Sequence, residues 1–374
     1  MNPVALYVHV PFCRAICKYC DFARQVRAAA DVEVYLRALR IELEKSGRMT
    51  PRTMFFGGGT PTSLDANELS QLLDLVVRFV DMKSVVEFTV EANPGTLTPD
   101  ALTVLRERGV NRISFGVQSF QPRLLDLLGR IHSEAQARTA VADARAAGFT
   151  NVSIDLMHGL PTETREELAS DIDAALDVAP DHISAYGLSY EDGTPLQECV
   201  ARGDLKRLGA EEESAHYREA MERLGAAGFN QYEISNYARP GFEAQHNLAY
   251  WHNEPYLGVG PAAASYMDGE RRVNMRGLRE WARALTDGGE AIDSRERLEG
   301  EARAREALML ALRLREGADA GEFRSRYDFD FERECSAELQ RFSAQGLMER
   351  TPTGRWRIAR AGLPVADTIL SELV

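Results

Sequence analysis

Between residues 4 and 188 short apolar runs alternate with amphipathic stretches, and no other feature of the chain constrains its fold so tightly. Residues 4–10 form the first apolar run. Helical spacing then runs from Asp31 to Lys45 through Val34, Leu36, Leu39 and Leu43. The runs Thr53–Phe56, Val85–Glu91, Arg112–Gly116, Asn151–Leu156 and His182–Leu188 predict further strands. Between them, helices are predicted over Asp65–Val80, Pro99–Arg108, a segment ending at Leu128, Ala135–Ala147 and Glu163–Val178. About six strands separated by helices of roughly 10–15 residues imply an α/β protein with a parallel sheet. The even pace favours a TIM-type barrel, complete or partial, over an open sheet.

After Gly193-Thr194-Pro195 the rhythm breaks. A helix is predicted over Ala210–Ala227, followed by Tyr232–Tyr237 and an irregular Gly/Pro-rich stretch from Pro240 to Pro261. The last part reads as helices Arg303–Arg313 and Phe331–Gln345, then Gly346–Arg350 and a strand-like Trp356–Ile358. This pattern predicts two domains. Residues 1–230 form the barrel, and residues 231–374 form an α+β domain that ends, from about 300, in a winged-helix-like unit.

The chain has 374 residues and a net charge of −13, from 44 basic and 57 acidic side chains. That balance disfavours nonspecific nucleic-acid binding, which depends on neutralising phosphates. Arg271-Arg272 and the arginines from Arg295 to Arg315 are interleaved with glutamates and are expected on solvated helix faces. No apolar run approaches the roughly 20 residues of a membrane span. The start lacks the basic region and apolar core of a signal peptide, so a cytoplasmic location is expected.

Five cysteines, three of them clustered, argue against a disulfide framework. Cys199 and Cys335 read as ordinary thiols. Cys13, Cys17 and Cys20 form a CxxxCxxC loop directly after the first strand. Three thiolates on an iron–sulfur cluster leave one iron open. A structural zinc would need a fourth ligand, for which His9 and Asp21 are the local candidates. The spacing alone leaves both readings standing.

Chemistry in a parallel barrel collects where strands end. Strand two ends in Gly57-Gly58-Gly59-Thr60-Pro61, whose missing side chains let a ligand approach the backbone. Glu91, in Glu91-Ala-Asn-Pro94, offers a carboxylate suited to paired hydroxyls. Gln118 ends strand four, Arg130 follows in a Gly-Arg-Ile-His turn, and Asp155 opens Asp155-Leu-Met-His158-Gly-Leu-Pro161. A glycine triplet is often only a turn, and a strand-end carboxylate is often a helix cap. Their convergence on one rim is the stronger argument.

CxxxCxxC, GGGTP, EANP, GVQSF, LGRIH and DLMHGLP, in this order and over nearly the whole chain, resemble the radical S-adenosylmethionine superfamily. Within it the chain resembles the branch holding oxygen-independent coproporphyrinogen III oxidase and the heme chaperone (HemW) family. The resemblance implies a [4Fe–4S] cluster on Cys13, Cys17 and Cys20, with S-adenosylmethionine on the open iron. Tyr7 and Tyr19 would lie beside cluster and cofactor, Gly58, Gly59 and Thr60 at its methionine end, and Glu91 at its ribose. Gln118, Arg130 and Asp155 would complete the pocket.

Two departures favour the chaperone branch. The oxidase carries a further cysteine two residues past the triad, where this sequence has Phe22, and a long segment before the motif, where this sequence has 12 residues. His246-Asn-Leu-Ala-Tyr250-Trp251 matches an HNxxYW signature of the chaperone branch. His246 supplies an imidazole able to ligate iron, and Tyr250 and Trp251 an aromatic face; the competing reading is a packed loop with a structural histidine. His252, beside them, could substitute as ligand. The resemblance thus implies heme as cargo, respiratory hemoproteins as recipients, flavodoxin or ferredoxin as reductant, and a homodimer. It also implies peripheral residence at the inner membrane face during delivery. The alternative it carries is oxidative decarboxylation of coproporphyrinogen III to protoporphyrinogen IX.

Overall fold

The computed structural model describes residues 3–373; Met1, Asn2 and Val374, the outer ends of the two expected domains, lie outside the described residues. The first strand, β1 (Ala5–Val10), runs into two short strands, β2 (Phe12–Cys13) and β3 (Gln25–Val26), which pair in parallel and staple the cysteine loop. Five more strands follow: β4 (Thr53–Gly58), β5 (Glu87–Ala92), β6 (Arg112–Gln118), β7 (Asn151–His158) and β8 (His182–Gly187). Strands β1, β4, β5, β6, β7 and β8 pair in that order, all parallel. They are buried on both faces, which explains why they read as nearly unbroken apolar runs rather than alternating ones.

The crossovers are α1 (Ala29–Ser46), α2 (Ala66–Val77), α3 (Pro99–Glu107), the pair α4 (Pro122–Leu128) and α5 (Glu134–Ala146), and α6 (Arg165–Asp177). Asp65 with Glu68, Ser133 with Gln136, and Thr164 with Glu167 form capping boxes, each satisfying two backbone groups at a helix N-terminus.

Beyond β8 come helices α7 (Pro195–Arg202) and α8 (Ala210–Ala226) and strands β9 (Asn230–Gln231) and β10 (Asn236–Ala238). The stretch expected to be irregular instead holds helix α9 (Gln245–Trp251) and strand β11 (Tyr256–Val259). Strand β11 pairs in parallel with β1 across some 250 residues of chain, a partnership no local pattern reports. Strands β12 (Ala264–Met267), β13 (Glu270–Asn274) and β14 (Ile292–Arg297) follow, with α10 (Leu278–Thr286) between the last two.

Arg271, Arg272 and Arg295 therefore lie on strands, not on helix faces. Charges spaced for a helix surface also suit cross-strand pairing: Arg271 meets Glu296 at 3.4 Å, and Arg295 meets Glu270 at 3.3 Å. The result is one 12-stranded sheet, β14-β13-β12-β11-β1-β4-β5-β6-β7-β8-β10-β9, whose edges do not pair with each other. Strands on both sides of the 230/231 division belong to this sheet.

Residues after 298 form α11 (Gly300–Arg313), α12 (Ala320–Tyr327), α13 (Phe331–Glu334), α14 (Ser336–Ala344), a hairpin of β15 (Met348–Arg350) and β16 (Trp356–Ile358), and α15 (Ala366–Ser371). The single helix expected over 331–345 is broken at Cys335, which caps α13 and starts α14. Among the described residues no helix is long and apolar enough to cross a membrane.

Candidate cluster and cofactor site

One cavity of about 320 Å³ opens where the parallel strands end. Cys13, Cys17, Tyr19, Cys20, Gly58, Gly59, Thr60, Glu91, Gln118, Arg130 and Asp155 all line it. They come from the loop after β1, from the C-terminal parts of β4, β5, β6 and β7 and, for Arg130, from the turn after α4, so the sheet must curve around a common centre to bring them together. Of the residues expected here only Tyr7 is not in the wall. Its hydroxyl bonds His9 Nδ1 at 3.1 Å, and its ring packs near Phe55.

The cysteine loop is tied down from several sides. Lys18 donates its N–H to Leu128 at 2.9 Å, and the Lys18 carbonyl accepts from Leu196 at 2.9 Å. Arg14 reaches the carbonyls of Gly95 and Thr96 at 2.8 and 3.1 Å. Burial pushes the Cys13 thiol up to about 11, and it also raises that of Cys20. A bound cation would reverse this, since metal coordination deprotonates a thiol outright. No three metal-binding side chains among the described residues gather at single-ion spacing. Thiolates on a four-iron cluster each bind a different iron, so three cysteines sharing one cavity wall fit that group.

The glycine triplet is required three times over. A Cβ on Gly59 would lie 2.7 Å from the carbonyl oxygens of Val10 and Phe12. On Gly58 it would meet the His9 ring at 2.3 Å, at a φ of +100° that side chains rarely adopt. On Gly57 it would strike the Glu91 carboxylate at 2.7 Å. The first two glycines thus hold β4 against β1 and β5, and the triplet leaves Gly58 and Gly59 bare at the cavity.

Glu91 accepts the Gly58 N–H at 3.2 Å. Burial, with Asp155 adding repulsion, raises its carboxyl to about 8. Asp155 is also raised by burial, against hydrogen bonds from Ser184 and Ser114. Two buried acids sharing a cavity are suited to hydroxyl and amine donors that would relieve both. Gln118 sits at a register shift in β6 with φ of 71°, a strained position for a side chain, and its Oε1 accepts from Tyr186 at 2.8 Å. Burial works against the Arg130 guanidinium, but Tyr19 and Cys17 beside it hold its pKa above the usual value. Sequence reasoning gave no role to Asn93 or Tyr186. Asn93 stood in the Glu-Ala-Asn-Pro run, whereas Tyr186 carried no signal beyond its place near a strand end.

The HNxxYW residues lie at the other end of the barrel. His246 is 1% exposed, beside Thr53 and Glu87, the first residues of β4 and β5. Both ring nitrogens are bonded, Nδ1 to Thr53 Oγ1 and Nε2 to the Tyr250 hydroxyl, each at 2.9 Å. Glu87 accepts the backbone N–H groups of Gln245 and His246 at 2.9 and 3.1 Å, capping α9 from another element. Burial, with Arg112 nearby, lowers the His246 pKa to about 3. The expected iron ligand is therefore a saturated, neutral core histidine in this structure. Tyr250 packs edge-on against Tyr256, and Arg313 of α11 lies over the Trp251 ring at 4.8 Å. Both rings are half-buried, and each already has a packing partner.

Residues 7–175 match the radical SAM superfamily, and residues 298–365 match the HemN C-terminal domain. The heme chaperone HemW of Bacillus subtilis is 37% identical over 92% of this chain and 92% of its own length. The chain belongs to the HemW family. The HemW protein of Escherichia coli is 33% identical over 99% of this chain and 98% of its own length. The fold resembles that of coproporphyrinogen III oxidase (HemN) from Escherichia coli, with a TM-score of 0.87, covering 100% of this chain and 90% of that one at 23% identity. Membership of the radical SAM superfamily implies a [4Fe–4S] cluster and S-adenosylmethionine, and the rim cavity of this HemW-family chain brings together the residues expected to hold them.

Proposed function

We propose that this protein is a heme chaperone that binds heme and passes it to hemoproteins, and that it holds a [4Fe–4S] cluster and S-adenosylmethionine in its rim cavity. The observation that carries the reading is likeness to HemW chaperones over nearly the full length of both chains. The cavity supports the cofactor part. Cys13, Cys17 and Cys20 would hold the cluster, Gly58, Gly59 and Thr60 the methionine end, Glu91 the ribose, and Gln118, Arg130 and Asp155 the rest, with Tyr19 over them. When bound, the cluster and cofactor would supply one-electron chemistry, while the protein binds, orients and shields. Flavodoxin or ferredoxin as reductant, respiratory hemoproteins as recipients and a homodimer belong to the same proposal.

Heme ligation by His246 would require Thr53 and Tyr250 to release it. His252 needs no such release; its side chain is 43% exposed, and its Nδ1 lies 3.6 Å from Glu316. Phe22, 62% exposed at the cavity mouth, supplies no fourth thiol there.

Anaerobic reconstitution followed by parallel assays tests the reading. About four irons and four sulfides per chain are expected, with heme binding and no enzyme-like turnover of coproporphyrinogen III. Rapid conversion to protoporphyrinogen IX would overturn the chaperone assignment.

A further inference from the structure

Two of the three cysteines are joined by a continuous path of side chains across the cavity wall. The Thr60 hydroxyl donates to Cys13 Sγ at 3.7 Å. Asn93 Nδ2 donates to Thr60 Oγ1 at 2.8 Å, and Asn93 Oδ1 accepts from Arg130 Nη2 at 2.6 Å. Arg130 Nη1 in turn donates to Cys17 Sγ at 3.3 Å, while its Nη2 also reaches the Gly116 carbonyl. Asn93 sits at the middle.

Its placement is built. The Asn93 carbonyl accepts from the Thr96 N–H at 3.0 Å and from the Thr96 hydroxyl at 2.6 Å, and that hydroxyl is shared with Thr62 at 2.7 Å. Gly116 opposite leaves room, since a Cβ there would stand 3.0 Å from Asn93 Oδ1.

The chemistry of the amide decides the direction of the path. An amide donates with nitrogen and accepts with oxygen, so it can take a bond from arginine and give one to a hydroxyl oxygen at once. Because Thr60 Oγ1 accepts from Asn93, its own proton stays free for the sulfur. A carboxylate of the same shape would accept from both neighbours and turn the Thr60 proton away from Cys13.

We propose that Asn93 is a positioning residue for the cluster: it directs the Thr60 hydroxyl to the sulfur of Cys13 and holds Arg130 on the sulfur of Cys17. Hydrogen bonds to its sulfurs and its net surroundings set the potential of such a cluster. Asn93 therefore keeps the site easier to reduce than it would be with bare thiolates. The inference rests on the cluster reading of the cysteines given above.

The test compares wild type with Asn93→Asp, Asn93→Ala and Thr60→Val, each reconstituted anaerobically. Iron and sulfide are counted first, then a redox titration is followed by electron paramagnetic resonance. Full cluster content is expected in all four, because no cysteine changes. The Asn93→Asp cluster should be about tenfold harder to reduce, about 59 mV for a one-electron couple. Asn93→Ala and Thr60→Val should shift in the same direction by less. Full clusters with unchanged potentials in all three variants would overturn the positioning role while leaving the cluster reading intact. A wild type that takes up no iron would overturn both. Loss of cluster from Asn93→Asp and Asn93→Ala, with Thr60→Val full and unshifted, would also overturn the inference, since Asn93 would then serve assembly rather than direct that hydroxyl.

Discussion

The two ends of the barrel are built from the same strands and treat polar groups in opposite ways. At the end where β4 and β5 begin, Glu87, Thr53 and His246 satisfy one another and the start of α9, and His182 bonds Ser153 and Tyr232 at 2.8 and 2.9 Å. At the end where they finish, Glu91 and Asp155 crowd a cavity, Gln118 is strained, and three thiols line the same wall. One end is a plug made for stability. The other carries unrelieved acidity and strain that a ligand would relieve.

The plug should be the costlier end to damage. Glu87→Ala leaves one buried and one half-buried N–H group of α9 without acceptors, so a loss of about 3 kcal/mol is expected. Urea unfolding measures it; a loss below the noise would show that the plug is not structural.

Acid should strain the same end. His246 takes a proton near pH 6.5 when unfolded but only near pH 3 in the fold. Between those values the unfolded chain binds more protons, so this contribution is complete above pH 6.5 and fades as pH falls toward 3. At pH 5 the loss is about 2 kcal/mol from this residue alone. Burial also lowers His182, which adds to it. Replacing His246 with Gln should flatten the slope of stability between pH 7 and 5, and an unchanged slope would assign the acid sensitivity elsewhere.

The rim should also answer to pH, through ligand affinity and in a higher window. Glu91, raised to about 8, is largely protonated at neutral pH, and a ribose favours its ionised form. S-adenosylmethionine affinity should therefore rise up to about 25-fold between pH 6.5 and 8.5, by about 1.9 kcal/mol. Calorimetry on Glu91→Gln should show that dependence gone; if it persists, another group carries it.

Gln118→Gly gives the smallest effect and the sharpest contrast. Relief of the positive φ should offset most of the lost Tyr186 bond and the added chain entropy, so stability should change by less than about 1 kcal/mol while binding of S-adenosylmethionine weakens. A loss of several kcal/mol would mean that Gln118 is held by packing, not by strain.

The legibility of the chain follows the range of the interactions. Parallel strands are buried on both faces and helices carry local caps, so residues 4–188 announced their elements within a residue or a few. The rim residues were readable because each stands near a strand end or in a following loop or turn, in a run with its own local character. Asn93 was visible in its motif, yet its role depends on Thr60 and Arg130, which are 33 and 37 positions away.

What the sequence determined by itself was the parallel α/β core, the cysteine loop and the ring of polar strand ends, all written in short-range pattern. Only the tertiary structure decided that β11 joins β1, that the arginines near 271 and 295 pair across strands, and that His246 is enclosed at the far end from the cysteines. Each of those outcomes depends on which distant surface a segment meets. A histidine beside two aromatic residues reads alike as ligand or as core until Thr53 and Glu87 arrive from nearly 200 and about 160 positions earlier to close it in.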